Sequence, residues 1–289
     1  MSPVKLIFFT QKNACQTCQV QLELLRELSS LTDKIELETY DFVEDGEQVR
    51  SFRIERIPAT AVIAKKDYGI RFYGVTGGYE FQSLLQAILI VSTGSSGLDP
   101  RLEALVKAIK EPVRLKVFVT LTCPYCPQMV HAAHQFALVN ENIRADVVDV
   151  SEFPELAQKY EVSGVPKTII NEIYHFEGAL PAERVYLEIL KAINPEQYRL
   201  LEESIREYEG VRKAKRVDDQ HRYEVIIVGG GPAAMSAAIY TARKGLDVAL
   251  VAKKLGGQVT YTATIENYLG ISNISGMDMT EAFRNHVEN

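Results

Sequence analysis

Four cysteines carry the most explicit chemistry in the chain. They form two pairs of equal spacing, Cys15-Gln16-Thr17-Cys18 and Cys123-Pro124-Tyr125-Cys126, with no cysteine elsewhere. Two thiols three residues apart can hold a metal ion or open and close a disulfide. The second chemistry needs one cysteine as an attacking thiolate and a second within a helical turn to resolve the mixed disulfide. A helix N-terminus favours the thiolate, through partial positive charge and unpaired N–H groups.

The elements that would position these pairs occur twice. Each landmark in the first half has a partner 108 residues on: Cys15 and Cys123, Cys18 and Cys126, Pro58 and Pro166. Each half also places a Pro-x-Thr 43 residues after its first cysteine. Apolar, β-branched runs precede the pairs at Val4 to Thr10 and Leu115 to Thr120, and predict buried strands. Helical spacing follows, through Val20, Leu22, Leu24, Leu25 and Leu28, and through Met129, Val130, Ala133, Phe136, Ala137 and Leu138. Second strands are predicted at Ile35 to Phe42 and Ile143 to Val150. Each proline opens a third strand, and a fourth follows at Ile70 to Gly74 and at Ile173 to Gly178. Helices at Phe81 to Val91 and Ala182 to Ile193 close the halves, and Ser92 to Gly97 reads as a flexible break. Cys15 and Cys123, at strand-to-helix turns, are the expected nucleophiles. Cys18 and Cys126 are the expected resolving thiols.

This order, with a cysteine pair opening the first helix and a proline after the middle loop, resembles the thioredoxin fold, present in tandem. Residues 1–193 are similar to the tandem thioredoxin-fold protein disulfide oxidoreductases of hyperthermophiles, and Cys123-Pro124-Tyr125-Cys126 is the glutaredoxin tetrapeptide. The resemblance implies cis peptides at Ile57-Pro58 and Val165-Pro166, with both prolines against the cysteines. The residues between the cysteines differ, so the sites need not share a potential; glutaredoxin-like sites lie near about −200 to −230 mV and thioredoxin near about −270 mV. The second pair is expected to be the more active.

Zinc is the rival reading of the pairs. The 108-residue gap is too long for a compact four-cysteine module, and the matched prolines would go unexplained. A set of Cys123, Cys126, His131 and His134 would require one rigid helix to wrap an ion. No metal is expected, and these histidines read as ordinary positions on a helix.

A third segment differs in character. Residues 194–222 are rich in charge, with Arg212-Lys213-Ala214-Lys215-Arg216 set among acids, and read as a charged helix or linker with a solvated face. Then Tyr223 to Val228 predicts a strand, and Gly229-Gly230-Gly231-Pro232-Ala233-Ala234 matches G-x-G-x-x-A at the start of a small-residue helix. A second strand follows at Asp247 to Val251. The acidic residue usual after it is replaced by Ala252-Lys253-Lys254, so a ribose contact is not expected there. With Gly256, Gly257, Gln258 and Asn267, this stretch resembles the opening of thioredoxin reductase FAD domains. It resembles more closely the flavoprotein subunit of alkyl hydroperoxide reductase, which also carries tandem thioredoxin folds. In that family the first fold lacks its cysteine pair, whereas Cys15 and Cys18 are present here.

The fold class read from this is α/β: thioredoxin-like folds at 1–97 and 98–193, a linker at 194–222, and an incomplete FAD-binding domain at 223–289. The length of 289 residues fits such a count. The 67-residue last segment is short for a doubly wound domain, so a fragment or split protein is expected, with FAD possible and NAD(P)H used only if further domains are supplied. The net charge of −6 argues against nucleic acid or an anionic membrane as partner. No run approaches the ~20 apolar residues of a membrane span, and the N-terminus lacks a signal-peptide pattern, so a cytoplasmic protein is expected. The expected activity is dithiol–disulfide exchange with protein substrates. The resemblance adds flavin as the electron source and a peroxiredoxin as a possible substrate. The sequence offers no base for chemistry on peroxide itself.

Overall fold

The computed structural model describes residues 2–11, 15–200, 220–262, 264–271 and 273–288. The chain divides into two compact units, Met1–Arg199 and Leu200–Asn289. Most of the charged stretch expected as a linker, residues 201–219, lies outside the described residues.

The first unit opens with β1 (Val4–Thr10), α1 (Cys18–Ser30), β2 (Ile35–Asp41), α2 (Gly46–Ser51), β3 (Ala59–Ile63), β4 (Asp67–Tyr73) and α3 (Tyr79–Thr93). After α4 (Pro100–Lys107) the series repeats as β5 (Val113–Val119), α5 (Cys126–Val139), β6 (Ile143–Asp149), α6 (Pro154–Lys159), β7 (Lys167–Ile170), β8 (Tyr174–Glu177) and α7 (Ala182–Ile193). Each half is a mixed four-stranded sheet, but the two do not stand apart. They form one eight-stranded sheet in the order β2-β1-β3-β4-β6-β5-β7-β8. The seam is a parallel pairing of β4 with β6, from Ile70 opposite Ala145 to Tyr73 opposite Val148.

The seam explains a contrast between repeat-equivalent strands. β2 is an outer edge and reads Ile-Glu-Leu-Glu-Thr-Tyr-Asp, half-exposed along its length. β6 is interior, reads Ile-Arg-Ala-Asp-Val-Val-Asp, and is buried at all but Arg144. Charged side chains blunt an open edge, whereas a strand buried on both faces must be apolar or paired. Asp146, the exception on β6, is fully buried and held by Arg114 at 2.6 Å and Arg144 at 2.8 Å.

The core crosses the seam. Ile7, Phe9, Ala59, Ala61 and Tyr73 from the first half pack in one cluster with Phe118, Val148, Phe153, Leu156 and Ile169 from the second. On the other face α5 is buried almost all round, while α1 buries only Cys18, Gln21, Leu25 and Leu28. The sequences fit those roles: α1 is amphipathic, and α5 carries apolar residues on every face. The stretch 92–97 is an anchored turn, not the flexible break expected. Ser92 and Ser2 exchange hydrogen bonds at 2.7 and 2.8 Å, Gln135 donates to the Ser96 carbonyl at 2.6 Å, and Asp99 caps α4 ahead of Pro100.

The second unit holds a parallel pair, β9 (Val225–Val228) and β10 (Val248–Val251), joined through α8 (Pro232–Arg243). A 3₁₀ turn at Gly257–Tyr261 and α9 (Gly276–Glu288) follow. No described helix is long and apolar enough to cross a membrane.

Candidate active sites

Because β1 and β5 run the same way across the sheet, both cysteine pairs lie at the same end of it, at the C-terminal ends of these strands. Four strand spacings separate β1 from β5, or roughly 19 Å across the sheet. The helices begin at the second cysteine of each pair, α1 at Cys18 and α5 at Cys126. Cys15 and Cys123 therefore sit just ahead of the helix N-termini. Cys15 and Cys18 are joined as a disulfide, and Cys123 and Cys126 are thiols. Ile57–Pro58 and Val165–Pro166 are both cis.

At the second pair the Cys126 N–H, at the start of α5, donates to Cys123 Sγ at 3.2 Å. Cys123 Sγ in turn donates to the Val165 carbonyl, just ahead of Pro166, at 3.8 Å. Cys126 has no exposure to solvent. Burial, and then the neighbouring Cys123 sulfur, push its thiol well above the ordinary cysteine range, and the charge of Glu80 acts in the same direction. One cysteine of the pair is thus held ready to attack, and the other is held as a thiol that needs a base.

Glu80 was not among the residues expected at either site. It lies in the first turn of α3, on the first half, and is 1% exposed. The approach depends on Gly78. A Cβ there would stand 2.3 Å from the Leu121 carbonyl, and φ is +54°, so only glycine lets the chain pass. Tyr79 N–H then donates to that same carbonyl at 2.9 Å, fixing α3 beside the turn that carries Cys123. Neither carboxyl oxygen of Glu80, nor the Ser83 hydroxyl, makes a hydrogen bond of ordinary geometry. Burial pushes Glu80 up to about 7; nearby Ser83 opposes the shift and the charge of Asp149 adds to it. The sequence held one signal of this, an acid opening an otherwise apolar helix.

The first pair has different surroundings. Gln21, one turn into α1 and fully buried, donates to Thr60 at 3.1 Å and Thr76 at 3.0 Å and accepts from the Thr76 N–H at 2.8 Å. At the repeat-equivalent position the second half has Met129, and the Thr168 hydroxyl is left without a partner. His131 and His134 belong to the packing of α5. His134 is fully buried, edge-on to Phe72 at 5.1 Å, and burial pushes it down to about 3.

In the second unit, Gly231 precedes α8 and no side chain caps that helix. Gly229 has φ of +131°, and a Cβ on Gly230 would stand 2.1 Å from the Lys254 carbonyl. A Cβ on Gly257 would reach within 3.6 Å of Gly231 Cα. Two glycine turns thus meet at an uncapped helix N-terminus, a backbone arrangement that fits a pyrophosphate.

Two family models match the chain, "Thioredoxin domain" over residues 113–191 and "FAD dependent oxidoreductase" over 224–285. A protein disulfide oxidoreductase from Aeropyrum pernix superposes with a TM-score of 0.63 at 29% identity, covering 66% of this chain and 86% of its own. The NTD_N/C domain of alkylhydroperoxide reductase AhpF from Enterococcus faecalis gives 0.61 at 27%, covering 64% and 89%. Residues 113–191 thus carry a thioredoxin domain and residues 224–285 an FAD-dependent oxidoreductase segment, in a chain whose first unit has the tandem thioredoxin fold of these neighbours. Among curated relatives, an alkyl hydroperoxide reductase subunit of Pseudomonas aeruginosa is 33% identical over 92% of this chain, and a Bacillus subtilis protein named NADH dehydrogenase is 29% identical over 94%. The chain spans about half the length of these relatives, 46% and 48%.

The state of Glu80 sets a pH dependence of stability. In the unfolded chain it releases its proton near 4.5, but in the folded chain it holds it to about 7. Between these values the folded state binds more protons, so stability falls as pH rises, by about 3 kcal/mol in all. Urea unfolding at pH 5 and pH 8 should show this loss, and Glu80→Gln should remove most of it. An unchanged loss in the variant would place the effect elsewhere.

Proposed function

We propose that the oxidoreductase reduces disulfides of protein substrates, with Cys123 as the principal nucleophile. The observation that carries this reading is the pairing of a Cys123 sulfur that receives the Cys126 N–H with a Cys126 thiol sealed from water beside Glu80. The Cys123 thiolate attacks one sulfur of the substrate disulfide, forming a mixed disulfide and releasing a substrate thiolate. Glu80 takes the proton from Cys126; a base poised near neutral pH suits this transfer. The Cys126 thiolate then attacks Cys123 Sγ, closing the Cys123–Cys126 disulfide and expelling the second substrate thiolate. The substrate gains two electrons and the protein loses two. Pro166, and Pro58 at the first site, offer a backbone edge free of an N–H donor against which an extended substrate segment can lie. Cys15 and Cys18 perform the same exchange as a second pair.

The glycine turns of the second unit would hold a flavin. Gly229, Gly231, Pro232, Ala233 and Ala234 would hold the pyrophosphate of FAD, with Gly256, Gly257 and Gln258 closing the opposite side and Asn267 contributing further along the chain. FAD supplies two-electron transfer between a nicotinamide and a disulfide. One curated relative is named for alkyl hydroperoxide reduction and another as an NADH dehydrogenase, which supports NAD(P)H as the ultimate donor; a peroxiredoxin disulfide is the terminal substrate this reading takes.

Cys126→Ser is expected to stop turnover and accumulate a covalent adduct between Cys123 and a protein disulfide substrate, visible by non-reducing mass spectrometry. Attachment at Cys126 in Cys123→Ser, with none at Cys123 in Cys126→Ser, would reverse the assignment. For the cofactor, the purified chain mixed with FAD and desalted is expected to retain a visible flavin band that Gly231→Val abolishes. A band indifferent to that change would place flavin elsewhere.

A further inference from the structure

The first site also carries a carboxylate from the other half. Glu152 follows β6, in the second half, yet accepts from the Thr17 hydroxyl, which lies between Cys15 and Cys18. Its other oxygen accepts from the Val75 N–H at 2.7 Å. Val75 follows Gly74, whose N–H donates to the Pro58 carbonyl at 3.0 Å. One carboxylate therefore ties the cysteine turn to the end of the strand beside Pro58. Gly74 leaves little room for any other arrangement, since a Cβ there would stand 2.9 Å from Asp149 Cβ and 3.3 Å from Glu152 Oε1.

We propose that Glu152 is a positioning residue for the first site, acting through Thr17. Thr17 immediately precedes α1 with helical φ and ψ of −94° and −10°, so its side chain does not cap the helix and its hydroxyl is committed to Glu152. The tie holds the turn between Cys15 and Cys18 against the end of the strand beside Pro58. The second site shows what such a turn has to preserve, the contact of Cys126 N–H with Cys123 Sγ. It has no tie of this kind, because the matching position is Tyr125, whose side chain is exposed. Across the junction the halves serve each other, Glu80 at the second pair and Glu152 at the first. The same short loop reaches both sites, since Asp149, three residues before Glu152, acts on Glu80.

This inference rests on the reading that Cys15 exchanges disulfides, and its test separates the two. The full chain carrying Cys123→Ser and Cys126→Ser is reduced, and alkylation of Cys15 by iodoacetamide is followed across pH. Adding Glu152→Ala releases the turn between Cys15 and Cys18. Cys15 alkylation near neutral pH is then expected to slow roughly fivefold, through a raised apparent pKa. Thr17→Val alone should slow it to a similar extent, and Glu152→Ala placed on Thr17→Val should add little, which two independent structural losses would not do. Faster or unchanged alkylation in Glu152→Ala, or effects of the two changes that add, overturns the proposal. A parent chain whose Cys15 reacts with iodoacetamide but never with oxidised glutathione overturns instead the reading on which it rests.

Discussion

The parallel pairing of β4 with β6 is the constraint on which the rest depends. It joins the two repeats head to tail, the last strand of one against the second strand of the next. A shared sheet removes two exposed edges and lets one core run across the junction. It also sets which helices become neighbours. α3 of the first half comes to lie along α5 of the second, and the acid that opens α3 is buried where its charge reaches Cys126. A buried carboxyl without partners costs stability, and its position beside a buried thiol gives that cost a chemical use.

The same junction makes two copies of one motif unlike. Each repeat supplies a cysteine pair at a strand-to-helix turn and a cis proline, but the surroundings are not repeated. The first pair rests on a hydrogen-bonded group of Gln21, Thr60 and Thr76. The second rests on Met129 and an unpartnered Thr168, with Glu80 close by. A disulfide's potential follows the relative stability of its thiolates and its bond, and these environments weigh on both.

Much of this was legible in the residues, because the features concerned are local. A buried strand, a turn, two cysteines at helical spacing and a proline are each written in contiguous residues, and their recurrence after 108 positions made the repeat plain. The contrast between β2 and β6 is also written there, as alternating acids against paired charges in an apolar run. What could not be read is what the junction creates. Glu80 precedes the apolar spacing that begins at Phe81, and nothing nearby tells that Leu121, 41 residues on, will meet the turn just ahead of it. The 92–97 turn shows the same limit: its serines and glycines suggest freedom, but Gln135 and Ser2 hold it.

The central claim is that a carboxyl of the first half serves as base for a thiol of the second. The most direct test is single-turnover resolution of a preformed mixed disulfide on Cys123, followed from about pH 5 to about pH 9 in the parent chain and in Glu80→Gln. The account predicts a rate in the parent that rises through about 7, the value to which burial pushes Glu80, and a variant that is slower and has lost this rise. Superimposable profiles for the two proteins would contradict it.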